Sequence, residues 1–236
     1  PRVAPRPPLG RAAPRSVTVS AMTRQFTDID PARLRANLER VRERIAAAGR
    51  DPGTVEILAA VKYVPVDELP RLAEAGVVLV GENRAQELVA KHAAHGDLFE
   101  WDFIGALQSR KVRDIAPIAR LIHSVASDSA LAKLAQHPAR EVLVQVNVAG
   151  EEGKAGIAPA ALGEFLAACP VPVGGLMTMP PYAERAEDSR RHFARLAELA
   201  AEHGLARLSM GTSQDYEVAV QEGATIVRLG STLYES

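Results

Sequence analysis

Short apolar runs alternate with longer stretches whose apolar residues recur every three or four positions, and this alternation holds from about residue 30 to the end of the chain. The runs lie at 55–61, 77–80, 101–104, 121–123, 141–146, 173–177, 206–208 and 225–229. Their length and β-branched content predict strands. Between them, segments near 66–75, 83–95, 108–119, 128–136, 159–168, 184–203 and 213–222 carry helical periodicity and end near Gly, Pro or polar turns. An additional helix precedes the first run: Asp30-Pro31 supplies an N-cap and a first-turn proline, and Leu34, Leu38, Val41 and Ile45 follow on one face before Gly49.

Strand followed by helix, eight times over, predicts an α/β fold with a parallel sheet closed as a single (β/α)8 TIM-type barrel, with the extra N-terminal helix packed outside it. The pattern alone also fits an open doubly wound sheet. Several runs, such as 57–61 and 142–144, are apolar throughout, as strands buried on both faces are. The run at 101–103 differs, since Trp101 and Phe103 alternate with Asp102 as in a half-buried strand, and these residues are read as packing. Residues 1–24 contain five prolines and show no apolar period, so they are expected to form a disordered Pro/Arg-rich extension to a barrel domain spanning 25–236. An Arg-rich segment without acids also has the composition of a transit peptide.

In a barrel the chemistry collects at the carboxyl ends of the strands. Lys62 ends the first run, and a dry barrel mouth would favour its neutral amine, the form that condenses with an aldehyde. A lysine there could equally snorkel to the surface. Ser209-Met210-Gly211-Thr212-Ser213 lies between a strand and a helix, where backbone amides and hydroxyls suit an anion such as phosphate. Helix capping alone explains the same turn, and Asp215 strengthens that simpler account. Arg228 and Gly230 end the last run. Closure would bring that strand beside the first, so that two cations flank one pocket and call for an anionic or electron-rich ligand. Gly230 would let a ligand approach the backbone closely.

Composition narrows the field. Only five of the 28 basic residues are lysines, so a lysine in a buried position suggests amine chemistry rather than charge alone. The first 24 residues hold five arginines and no acid, which leaves 23 basic against 29 acidic residues and a net charge of −6 for the rest. That balance argues against a nucleic-acid partner. No apolar stretch is long enough to cross a membrane. The single cysteine, Cys169, has no intramolecular disulfide partner, which suits a cytoplasmic setting. The six histidines are scattered without metal-ligand spacing, and no phosphate-binding glycine loop is present.

Several ordered motifs carry a family resemblance over residues 31–234. They are Ile57 to Lys62, Gly81-Glu82-Asn83, Phe103-Ile104-Gly105, Leu107-Gln108-Ser109, His123-Ser124-Val125, Gln145-Val146-Asn147, Lys154-Ala155-Gly156, Gly175-Leu176-Met177, Leu208 to Gly211 and Val227 to Gly230. Together they resemble the pyridoxal phosphate homeostasis proteins, whose barrel is similar to the alanine racemase N-terminal domain. Tyr63 stands where Thr is usual, and Thr212-Ser213-Gln214-Asp215 replaces a Met-Ser-Asp pattern. Both departures keep a hydroxyl-bearing turn.

The resemblance implies that pyridoxal 5′-phosphate (PLP) is held as a covalent aldimine on Lys62. Ser209, Met210, Gly211, Thr212, Ser213 and Gly230 would hold the phosphate. Arg228 would face the ring nitrogen, and Asn83, Ile104 and Met177 would line the cofactor. The expected role is intracellular PLP buffering or delivery to PLP-requiring apo-enzymes, by a monomer without robust turnover, because the sequence stops within about six residues of Gly230 and is expected to lack the second domain from which alanine racemase takes its tyrosine base. The alternative is a PLP-dependent amino acid racemase or lyase completed by a partner subunit. A barrel that binds another phosphorylated ligand without covalent chemistry is a further possibility. Lys154 could accept the cofactor during transfer, or be a solvated loop lysine.

Overall fold

The computed structural model describes residues 25–235. The extension expected at 1–24 lies outside the described residues. Eight parallel strands close into a barrel in sequence order: β1 (Glu56–Ala60), β2 (Leu79–Glu82), β3 (Glu100–Phe103), β4 (Leu121–Val125), β5 (Val142–Gln145), β6 (Val173–Met177), β7 (Arg207–Thr212) and β8 (Ile226–Leu229). Closure is direct, with Leu58 of β1 opposite Arg228 of β8. The open-sheet alternative is thereby excluded.

Two apolar layers hold the barrel. Leu58, Leu79, Leu121, Leu143, Met177 and Ile226 fill its interior, with Ile104 packed against them. The outward residues of the strands meet the helices in a larger shell that includes Val61, Val80, Phe193 and Met210. The helices are α1 (Pro31–Ala47), α2 (Leu69–Glu74), α3 (Ala85–His95), α4 (Val112–Ile115), α5 (Asp128–Gln136), α6 (Leu162–Ala168), α7 (Arg190–Glu202), α8 (Tyr216–Gln221) and α9 (Ser231–Tyr234). Helix α1 starts as its sequence predicts, with the Asp30 side chain accepting from the Ala32 amide. It buries Leu34, Leu38, Val41 and Ile45, each contributing about 1.5–3 kcal/mol by leaving water. Asn37 on the same face donates to the Leu233 carbonyl at 2.8 Å and ties α1 to α9.

Two local readings need correction. Strand β7 runs through Ser209 to Thr212, residues expected in a turn, because pairing with β8 outweighs the turn preference of Ser and Gly. Its register shifts between Ser209 and Thr212, and Gly211 takes the left-handed φ of 88° that this irregularity demands. A side chain at Gly211 would also strike Ala219 and Tyr216 of α8, so this glycine serves helix packing. The second correction is Asp102, which is fully buried between Trp101 and Phe103. A closed barrel leaves neither face of β3 to solvent, so alternation there separates the interior from the helical shell.

Candidate functional site

A cleft of about 700 Å³ opens at the carboxyl ends of β1, β7 and β8, and its walls include Lys62, Asn83, Ile104, Thr212, Ser213, Arg228 and Gly230. Lys62 stands just past β1. It is exposed, contrary to the dry position expected from the apolar run before it. The strand ends at Ala60 and buried Val61 turns outward, so the next side chain leaves the barrel and enters the open mouth. Its amine lies 4.7 Å from the centre of the Tyr63 ring and has no hydrogen bond or ion pair among the described residues.

Arg228 faces the same cleft from β8 but is only 6% exposed. Nη1 donates to Ser209 Oγ at 2.5 Å, and Nη2 donates to the Thr178 carbonyl at 2.9 Å and approaches Met179 Sδ at 2.8 Å. No carboxylate pairs with it among the described residues. Burial pushes its pKa down to about 10, opposed by the more distant Asp215 charge, so the guanidinium stays charged at neutral pH. Guanidinium has five N–H donors, and three contacts leave two of them for the cleft.

The turn after β7 divides its labour. The Thr212 amide and hydroxyl both donate to Asp215 Oδ1, at 2.8 and 3.0 Å, so Thr212 is committed to the turn that leads into α8. Ser213 Oγ instead accepts from the amides of Gly230 and Thr232, at 3.1 and 3.2 Å, and faces the cleft. A Cβ at Gly230 would touch only Ala60, 3.9 Å away, which leaves open space above that backbone.

Three other expected lining residues sit elsewhere. Met177 is in the inner apolar layer beneath Ile104, and the exposed Met179 reaches the cleft in its place. The Met210 side chain packs in the helical shell, since strand alternation turns it away from Ser209. Ser209 is fully buried and spends its hydroxyl on Arg228 and His123. Lys154 is an exposed loop residue paired with Glu151.

Sequence reasoning missed two buried polar groups beneath the cleft. Lys91 of α3 is 2% exposed and donates to Glu82 Oε2 at 2.6 Å and to the Val61 carbonyl at 2.7 Å. Glu82 also accepts from the Asn83 amide at 2.7 Å, so this pair fixes the chain beside both Lys62 and Asn83. Gly105 closes over the same turn, where any side chain would meet the Asn83 carbonyl at 1.9 Å. The second group fills the barrel axis. His123 Nδ1 lies 2.8 Å from Ser209 Oγ, and its Nε2 lies 3.0 Å from Asp102 Oδ2. Arg120 binds Asp102 through two contacts of 2.9 and 2.8 Å and continues to Glu56 at 2.5 Å. Burial pushes the Asp102 pKa up, but hydrogen bonds from Arg120 and His123 outweigh it and hold the group below the ordinary carboxylate range. Burial pushes His123 down, so its ring is neutral.

This barrel, with its cleft at the strand ends, is of the alanine racemase class: residues 29–236 match the family described as "Alanine racemase, N-terminal domain". Pyridoxal phosphate homeostasis proteins of Aquifex aeolicus and Pseudomonas aeruginosa are 41% and 43% identical to the chain, over 86% and 83% of it and 96% and 90% of their own lengths. The solved structure of PipY from Synechococcus elongatus with PLP bound is similar at a TM-score of 0.72 and 32% identity, covering 85% of this chain and 99% of that one. The chain belongs to the pyridoxal phosphate homeostasis protein family.

Proposed function

We propose that the cleft binds PLP reversibly through Lys62 and that the protein buffers this cofactor or delivers it to PLP-requiring apo-enzymes, without robust turnover of its own. The observation that carries the reading is the pairing of two cations, exposed Lys62 and buried Arg228, that have no carboxylate partner among the described residues, in one cleft. PLP offers an aldehyde, an anionic phosphate and a ring nitrogen that accepts a hydrogen bond. The residues present fit those three groups. Lys62 supplies an amine, Arg228 has two spare donors, and Ser213 gathers two backbone amides that an anion can also engage. Asn83 Oδ1 is buried with no partner among the described residues and offers an acceptor to a ligand hydroxyl.

The amine of Lys62 attacks the aldehyde carbon, a C=N bond replaces C=O, and water leaves. Hydrolysis reverses the step. An exposed amine in an open cleft suits exchange with water and with a recipient enzyme, whereas a catalyst of proton transfer at a substrate carbon gains from excluding water. The names of the relatives support the same role.

Addition of PLP should produce a visible Schiff-base band, and borohydride reduction should leave a single labelled peptide containing Lys62. Lys62→Ala should abolish both signals. A label on another lysine, or a loaded Lys62→Ala protein, would overturn the assignment. Racemisation or elimination of free amino acids by the pure protein would replace the carrier role with an enzymatic one.

A further inference from the structure

With the His123 ring neutral, hydrogen-bond chemistry sets the order of donors in the chain beneath Arg228. Asp102 is a carboxylate held by Arg120 and can only accept, so His123 Nε2 carries the proton and donates. A neutral His123 then has a bare Nδ1, and Ser209 Oγ–H must donate to it. The Ser209 oxygen keeps a lone pair for the guanidinium, which can only donate. The order is therefore Arg228 to Ser209 to His123 to Asp102, with Ser209, His123 and Asp102 all fully or almost fully buried. Chains of this kind polarise each bond in the same sense.

Two neutral groups separate the anion of Asp102 from the cation of Arg228. A direct Asp–Arg pair would anchor the guanidinium but consume its charge and its paired donors. The intervening Ser209 and His123 anchor Nη1 and leave the positive charge to the cleft. We propose that His123, acting with Asp102 through Ser209, is a positioning residue for Arg228 and so sets how tightly the cleft retains a ligand bearing an aromatic ring nitrogen. The identity of that ligand rests on the PLP reading above, whereas the order of the chain does not.

Two measurements test this separately. In the ligand-free protein, nitrogen NMR of the His123 ring at pH 7.5 should show a neutral imidazole protonated on Nε2. A charged ring or an Nδ1–H tautomer would overturn the proposal, whether or not PLP binds. With PLP, Ser209→Ala should raise the dissociation constant about tenfold, the effect of losing one hydrogen bond to a charged group, and should shift the visible band. His123→Phe should do the same, and His123→Asn, which keeps an acceptor toward Ser209, should recover most of the affinity. Combining His123→Phe with Ser209→Ala should be no worse than either change alone. Additive losses, or a His123→Phe protein with a lower melting temperature and unchanged affinity and spectrum, would reduce His123 to a structural role and refute the proposal. If His123→Phe does not fold, Ser209→Ala decides: unchanged affinity and spectrum in that variant are equally fatal. Wild-type protein that takes up no PLP would defeat the functional reading alone, and the ring tautomer would still decide the chain.

Discussion

Lys62 and Lys91 meet at the same residue and have opposite fates. Lys91 reaches the Val61 carbonyl from α3, is almost fully buried and is neutralised by Glu82. Lys62 follows Val61 in the chain, is exposed and has no acid partner among the described residues. The same contrast divides the arginines, since Arg120 at the amino end of the barrel has two carboxylates while buried Arg228 at the other end has none among the described residues. In this molecule the lysine that faces the cleft is the exposed one and the buried lysine is the neutralised one. The two cations that face the cleft have no acid partner among the described residues, whereas Lys91 and Arg120, which brace the frame around it, do.

The comparison can be broken most forcefully at Lys91. Lys91→Met leaves Glu82 as a buried, uncompensated carboxylate and should cost about 3–5 kcal/mol in urea denaturation. A loss below 1 kcal/mol would mean the pair is dispensable to the fold. Next in size, Arg228→Gln should weaken PLP binding about 10- to 100-fold by direct titration, corresponding to about 1.5–3 kcal/mol for a charged hydrogen bond. It should not lower the ligand-free melting temperature, because it removes a buried charge that has no counterion among the described residues. A fall of several degrees would show that Arg228 is structural.

Acid should act through the axis of the barrel. His123, which faces Asp102, Arg120, Arg228 and Ser209, has a folded pKa below its ordinary value of 6.5. The unfolded chain therefore binds the extra proton first, so stability is complete above pH 6.5 and falls as pH drops toward the folded value. His123→Asn should flatten that slope in melting curves taken from pH 7.5 to 5. A further loss below about pH 4 belongs to Asp102, whose folded pKa is also depressed. The smallest effect is expected at Arg207, whose pairs with Glu56 and Glu141 are about one-third exposed. Arg207→Gln should change stability by less than about 1 kcal/mol and leave PLP affinity unchanged.

Element order was legible because each strand and helix writes its own period, and Asp30-Pro31 announced α1 through local capping. Lys62 and Arg228 were legible as polar residues ending apolar runs. The bonds of Thr212 to Asp215 and the outward turn of the Met210 side chain were not legible, because that turn and the β7–β8 register are set between segments. Asp102 and Lys91 were hidden for a related reason. A charged residue in an apolar pattern reads as solvated until the partner that permits its burial is known, and Arg120 and Glu82 lie 18 and nine positions away. The one available signal for Lys91 was its place on the Leu88 face of α3, three residues along.

The ring of Phe26 rests on that of Tyr234 at 4.8 Å, and the Phe26 amide bonds the Tyr63 carbonyl beside the cleft. The two ends of the described chain thus meet at the rim of the cleft. A short peptide joining them, with new ends cut at the exposed turn around Gly153, would give a circularly permuted barrel whose eight strands keep their order around the ring. The linker itself would become a rim element whose length could tune the rate at which ligand enters and leaves.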